Sequence, residues 1–364
     1  MPPWITRSAL TVGTLAALFL TTAAATAAHT AAARWHVVYR APSTAEHIYG
    51  VTAPSRADAW AFGTTSSRPG SAPVFLHWGG RRWRQVSIPG TRHFQPELIQ
   101  STSPDNVWIF GATLLSPAKG YRYHALVFDG SDWSDLTMPV NAGALTTLVV
   151  SRTDVWVVEG VSGCTAGSSC SSTLLHWNGA GWTTSTVGAG VQVMAAGGDH
   201  LWLVGVTGQT GGRWPTSVAA LYRLTAAGWR RFSLPEHRIG PDPGLAASPG
   251  GGVWLLIPNA IKRRPWHLDH WKGSAWTRLA LPSKVGRSGQ LFVVSPALTY
   301  DGATGVWAGP YAHWTGRRWV NAFEFGRNLD NLAVIPGTPS IWSNGRQSLG
   351  GTERATIDVY GALP

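Results

Sequence analysis

The chain has 364 residues, of which 44% are hydrophobic and 13% charged, a balance that excludes intrinsic disorder. Its 43 glycines and 24 prolines fall short of collagen-like or low-complexity composition. The net charge is +11, carried by 25 arginines against 4 lysines, and the 21 tryptophans are too many to pass without a structural explanation.

Residues 1–8 carry one cation, Arg7, and residues 9–20 (ALTVGTLAALFL) are predominantly apolar. A stretch of small residues follows, and Ala25-Thr26-Ala27 fits a cleavage site, so 1–27 reads as a secretory signal peptide. The apolar run is too short to span a bilayer, which needs about 20 residues. The expectation is an exported protein beginning near Ala28, extracellular or wall-associated, without stable membrane insertion. In that setting the two cysteines, Cys164 and Cys170 in the run CTAGSSC, are expected to form a local disulfide.

Downstream of the leader the sequence repeats. A tryptophan after a turn-like segment recurs at Trp60, Trp108, Trp156, Trp202, Trp254, Trp307 and Trp342, mostly 46 to 53 residues apart. Between these positions a second text recurs: HWGGRRW (77–83), VFDGSDW (127–133), HWNGAGW (176–182), HWKGSAW (270–276), HWTGRRW (313–319) and a degenerate RLTAAGW (223–229). Each unit reads as four short strands. An apolar strand A (145–150, or 291–295) leads through a Ser-x-x-Asp turn to strand B with the first Trp. Strand C ends in His-Trp, and after a glycine turn strand D starts at the last Trp. Units of this length and strand content are propeller blades. The seventh unit stops after strand C, while residues 34–42 carry the strand D text. The prediction is therefore an all-β, seven-bladed propeller in one domain, 28–364, with 34–41 as the outer strand of the last blade.

The repeated His-Trp-x-Gly-x-x-Trp text resembles that of secreted actinobacterial propeller proteins, distantly similar to kelch, galactose-oxidase-like and sialidase-repeat propellers. The resemblance covers nearly all of 34–364 and implies the fold. It implies no activity: there is no radical-copper constellation and no Ser-x-Asp-x-Gly-x-x-Trp box, and propellers host unrelated functions.

Periodicity assigns seven tryptophans to strand B, seven to strand D and four to strand C, all as packing residues. His77, His176, His270 and His313 recur on different blades and cannot converge on one metal ion; Asp58, Asp105, Asp154 and Asp199 read as turn formers. No cofactor or metal is expected. Trp214 and Trp266 fall outside the repeat, between strands B and C, where segment length varies and function tends to sit. With Arg213, Lys262, Arg263, Arg264, His267, Tyr121, Arg122 and Tyr123 they form the candidate ligand patch. The B–C segments 64–72, 112–123, 160–173, 206–217, 258–268 and 343–355 are expected as loops, and in blade six 296–304 as an insertion on the opposite face.

The expected function is a monomeric, non-enzymatic binding propeller. Its partner is a wall glycan, an anionic polymer, to which a basic chain is drawn, or a protein. No module for sequence-specific nucleic-acid reading is present. The alternative is a glycan lyase or hydrolase at the mouth of the central channel, with acids drawn from Glu46, Glu97, Glu159, Glu236, Asp242, Asp269, Asp330 and Glu353.

Overall fold

The computed structural model describes residues 33–67, 70–116, 118–140, 145–162, 170–209, 217–236, 238–239, 243–257, 266–282, 298–324 and 327–361. Within them the chain forms seven antiparallel sheets of four or five strands. Blade one comprises Glu46–Ser55, Asp58–Ser67, Gly70–Trp78 and Trp83–Val86, paired in that order from inside to outside. Blades two to six repeat the order, and the inner strands neighbour one another in a ring, blade seven returning to blade one.

Blade seven joins the two ends of the chain. Its strands B and C are Ile341–Leu349 and Thr352–Tyr360, and Trp35–Arg40 pairs with the latter as strand D. Its inner strand is broken into Asn328–Leu329 and Ala333–Val334. Closure of the ring by the N-terminal strand matches the sequence prediction.

The tryptophans pack blade against blade. Trp133, on strand D of blade two, meets Trp60 of blade one edge-on at 5.3 Å. Trp83 meets Trp342 of blade seven at 5.3 Å, and Trp229 meets Trp156 of blade three at 6.3 Å. In blades one, three, five and six the strand B tryptophan also lies opposite the strand C histidine in register. His176 stacks on Trp156 at 4.1 Å and bonds Asp154 Oδ1 at 2.9 Å; His313 stacks on Trp307 at 4.5 Å and bonds Asp301 Oδ2 at 2.8 Å. The recurrent histidines are thus part of the blade's internal cement.

Gly80, Gly130, Gly179, Gly273 and Gly316 occupy one position of the C–D turn with φ between 82° and 99°, which a residue bearing a Cβ adopts only with strain. A Cβ on Gly130 would approach Asp105 to 3.0 Å, and one on Gly316 would approach Thr304 to 2.9 Å. The C–D turns therefore rest on the A–B turns, and both belong to one face of the disc, the turn face. The opposite, loop face carries the B–C and D–A connections.

Two expectations about segments need correction. In blades one, two and seven the B–C segments are continuous hairpins rather than loops: the ladder runs to Ser67↔Gly70, Ser116↔Gly120 and Leu349↔Thr352. Alternating Thr, Ser, Leu and Tyr keep these stretches competent to pair. In blade six, the segment 296–304 is no insertion, because Leu298–Tyr300 within it is the inner strand itself. The segment 291–295 lies outside the described residues. Strands B and C of blade six are joined by a short 3-10 turn, Gly309–Tyr311.

Candidate functional site at the loop face

The seven inner strands enclose a channel of about 960 Å³. Its wall is made of small apolar residues and uncharged hydrogen-bonding groups, among them Thr146, Thr299, Gln192, Asn331, Tyr49 and Tyr300. Successive residues of a strand point to opposite sides, so only about half of each inner strand can face the channel. Some of these groups tie neighbouring blades together. Gln100 donates through Nε2 to the Thr147 carbonyl (2.8 Å) and accepts from the Val149 amide (2.7 Å). The Thr52 and Ser101 hydroxyls lie 2.7 Å apart; behind the wall, Asn344 on strand B of blade seven donates to the Ile48 carbonyl at 2.9 Å.

Glu97 is the sole carboxylate on the channel wall among the described residues, and no lysine, arginine or histidine accompanies it there. Its side chain keeps an open edge, yet burial of the carboxyl raises its pKa above the ordinary glutamate value. Its charge in turn raises the Tyr123 phenol, after the larger effect of burial. Tyr123 lies 6.5 Å from Tyr121 on the strand leading back from the hairpin tip of blade two.

The exposed large hydrophobic residues gather here. Tyr49 (45% exposed) stands on the channel wall of blade one, and Leu114, Leu115 (52%) and Tyr121 (48%) on the blade two hairpin. Arg122, on the other side of that hairpin, pairs with Asp135 Oδ2 at 2.9 Å, and Asp135 Oδ1 accepts from His124 Nδ1 at 2.7 Å. Desolvation lowers the His124 pKa against the raising pull of Asp135.

The structure divides the sequence-derived patch. Tyr121, Arg122 and Tyr123 are together on the loop face. Trp266 is not an exposed platform: it is 6% exposed and packs with Trp254, Leu268, Leu298 and Trp307 in the core between blades five and six. It immediately precedes strand His267–Trp271, and period-two alternation puts it on the same inward side as Leu268. His267 is buried on the other side, 3.4 Å from Asp269 Oδ2 and 3.5 Å from Glu236 Oε2. Asp269 also accepts from Arg278 Nε at 2.9 Å; burial works against its ionisation, but His267 and Arg278 prevail and lower its pKa. Arg213, Trp214, Lys262, Arg263 and Arg264 lie outside the described residues, as does Cys164; Cys170 is buried in the core of blades four and five.

Of the candidate acids, Glu236 and Asp269 converge on His267 Nε2 away from the channel wall, with Arg278 also holding Asp269. Glu46 is buried and accepts from the Tyr39 hydroxyl at 2.5 Å, while Glu353 lies 3.8 Å from Arg346 at the rim of blade seven. Glu159 is on strand B of blade three, and Asp242 is outside the described residues. Asp330 in blade seven has a pKa raised by burial and by Glu353, against the pull of Arg346. Sequence reasoning misses Tyr49, Gln192 and Asn331 because it looks for function in connections, whereas these residues sit along the inner edge of the blades.

No family model matches the sequence, and no curated relative matches it. Solved structures do. The β-propeller domain of the trilobed protease from Pyrococcus furiosus, described as having an open velcro topology, is 9% identical with a TM-score of 0.52 over 86% of this chain and 93% of that one. A puromycin-hydrolysing peptidase from Mycobacterium tuberculosis is 11% identical (TM-score 0.49, 83% of this chain and 49% of that one). Trypanosoma rangeli sialidase is 9% identical (TM-score 0.45, 87% and 54%). The chain spans about half the length of the peptidase and sialidase chains. At these identities the likeness is one of fold: the chain is a seven-bladed β-propeller.

Proposed function

We propose that this propeller is a binding module whose loop-face channel mouth holds an uncharged, hydroxyl-rich chain, a wall glycan being the class it fits best. The observation that carries this reading is the channel wall: hydrogen-bonding groups without cations, one carboxylate, and exposed Tyr49 at its edge. Concave sites with apolar walls and a few polar groups suit neutral ligands of moderate size. A tyrosine ring offers a sugar an apolar face and a hydroxyl together. An anionic polymer would meet Glu97 there with no countercharge among the described wall residues.

Hydrolysis of a glycoside ordinarily takes two carboxyl groups about 5–10 Å apart, and the described wall supplies Glu97 alone. The test is titration of the chain from residue 28 onward against a panel of neutral and anionic oligosaccharides, with product analysis on the same samples. Saturable binding of a neutral glycan without turnover, weakened at least tenfold by Tyr49→Ala, supports the reading. Turnover that disappears in Glu97→Gln transfers the protein to the enzymes. Preference for anionic oligosaccharides at the channel overturns the assignment of ligand class.

A further inference from the structure

Among the described residues the channel wall carries no cation, and part of the excess positive charge is gathered on the turn face. In blade one, exposed Arg81 and Arg82 form the C–D turn, which rests on the A–B turn bearing exposed Arg56: a Cβ on Gly80 would stand 3.6 Å from that of Ala57. In blade six, exposed Arg317 and Arg318 occupy the same C–D positions. Between them in the ring, exposed Arg34 precedes strand D of blade seven, its carbonyl accepting from the Gly361 amide at 3.1 Å. Three consecutive blades thus present arginines at the same level of one face.

The neighbouring acids are already engaged. Asp58 faces His77, Asp301 bonds His313, and Glu324 and Asp358 are held by Arg327. Blade two is opposite in sign, with Asp105, Asp129 and Asp132 at its turns. The Asp132 amide, followed by the Ser131 amide and hydroxyl, holds the Asp129 pKa down to about 2. The turn face is therefore polarised, basic across blades six, seven and one and acidic at blade two.

We propose that the arginine arc of blades six, seven and one is a second binding surface, separate from the channel mouth, for a flexible phosphate polymer. Guanidinium groups bind phosphate oxygens bidentately and stay charged at any physiological pH. An arc of exposed arginines on successive blades offers several phosphates contacts in series. The most exposed large hydrophobic side chains among the described residues are on blades one and two at the channel wall and the loop-face hairpin, and Trp314 and Trp319 beside the blade six arginines are half-buried, so charge is the main feature this surface offers.

The experiment uses inorganic polyphosphate as the probe, titrated against the chain from residue 28 onward at several salt concentrations. The quadruple variant Arg81→Ser, Arg82→Ser, Arg317→Ser, Arg318→Ser is expected to bind at least tenfold more weakly at about 0.1 M salt, with a shallower salt dependence. Arg81→Ser/Arg82→Ser is expected to lose more affinity than the charge-matched Arg230→Ser/Arg231→Ser on the outer strand of blade four. Thermal melts confirm that all variants are folded, since these side chains are exposed. Equal losses in the two double variants, or an unimpaired quadruple variant, overturn the proposal. So does tighter binding of anionic phosphatidylglycerol vesicles, or of single-stranded DNA, than of polyphosphate at equal phosphate concentration. Neutral-glycan binding at the channel is measured in parallel, so failure of one site is distinguishable from failure of the other.

Discussion

Blades two and seven have the same strand order and the same long B–C hairpin, but they are held together differently. Blade two is cut from one contiguous stretch, and its ionic cluster of Arg122, Asp135 and His124 spans neighbouring strands at a half-open surface. Blade seven joins segments from the two ends of the chain, and its cluster lies deeper. Arg327 binds Glu324 and the fully buried Asp358 and also donates to the Trp35 carbonyl, while Glu324 accepts from the Trp35 amide at 3.0 Å. Where strand pairing is local, charge decorates the blade; where the pairing closes the ring, charge anchors the incoming strand.

The largest expected effect tests that contrast directly. Deleting residues 34–41 strips strand D from blade seven and exposes the core around Trp342. The truncated chain is expected to be insoluble or to lack a cooperative melt, and an unchanged melting temperature would show that closure contributes nothing. Trp35→Ala alone is expected to cost about 3–5 kcal/mol, the usual range for emptying a buried tryptophan site, because its ring is buried and its Nε1 donates to the Ala322 carbonyl at 2.7 Å.

The two clusters should differ in weight. Arg327→Met leaves Asp358 buried without its cation and is expected to cost about 3 kcal/mol in denaturant unfolding. Arg122→Met, at an ion pair open to solvent, is expected to cost less than about 1 kcal/mol. Equal costs would erase the distinction between the blades.

Acid should find blade two before blade seven. His124 is buried with a lowered pKa, and His270 in blade five, pressed on Trp254, is lowered to about 4 by burial first and Lys272 second. The unfolded chain binds these protons more readily than the folded one. Stability is therefore full above the unfolded histidine pKa near 6.5 and is lost as pH falls from there toward 4, by roughly 1.4 kcal/mol for every tenfold difference in proton affinity between the two states. His124→Gln, followed by thermal melts from about pH 7 to 4, should flatten part of that slope. Blade seven has Thr356, which does not titrate, at the position of His124.

A further small effect belongs to a closure that is short in sequence. Pairing of Cys164 with Cys170 is a proposal, and a loop of this size stabilises by about 2 kcal/mol at most. Cys164→Ser is expected to change the melt little and to leave one thiol, at Cys170, that reacts only on unfolding because it is buried; two thiols titrating in the unreduced, denatured wild-type protein would remove the disulfide.

The blades are legible in the sequence because their packing residues are chemically loud. Tryptophan, histidine and a turn glycine recur at fixed offsets, and each offset names the strand where the residue stands. The inner strands are harder to read. They are bulged in blades one and two, short in blades five and six and broken in blade seven, and uncharged residues such as Thr146, Ala195 and Gln192 make up much of their channel side. Their significance arises only when seven such strands face one another. Trp266 misleads for a related reason: it lies outside the repeat text yet continues the alternation of the strand it precedes. The long hairpins of blades one, two and seven have no turn chemistry separating strand from loop, so pairing extends through segments that look like connections.

The latch that ties Trp35 to Glu324 joins residues 289 positions apart. A chain made from its N-terminus presents this strand before the six intervening blades and must hold it unpaired until strand Thr352–Tyr360 is made. Six blades can assemble from contiguous sequence in the meantime, but the ring stays open with the apolar flank of blade one uncovered. Topologies dominated by such distant pairing fold slowly and expose sticky edges while they do so. Ring closure is thus timed by the synthesis of strand Thr352–Tyr360, and any truncation that removes it leaves strand Trp35–Arg40 without a place to dock.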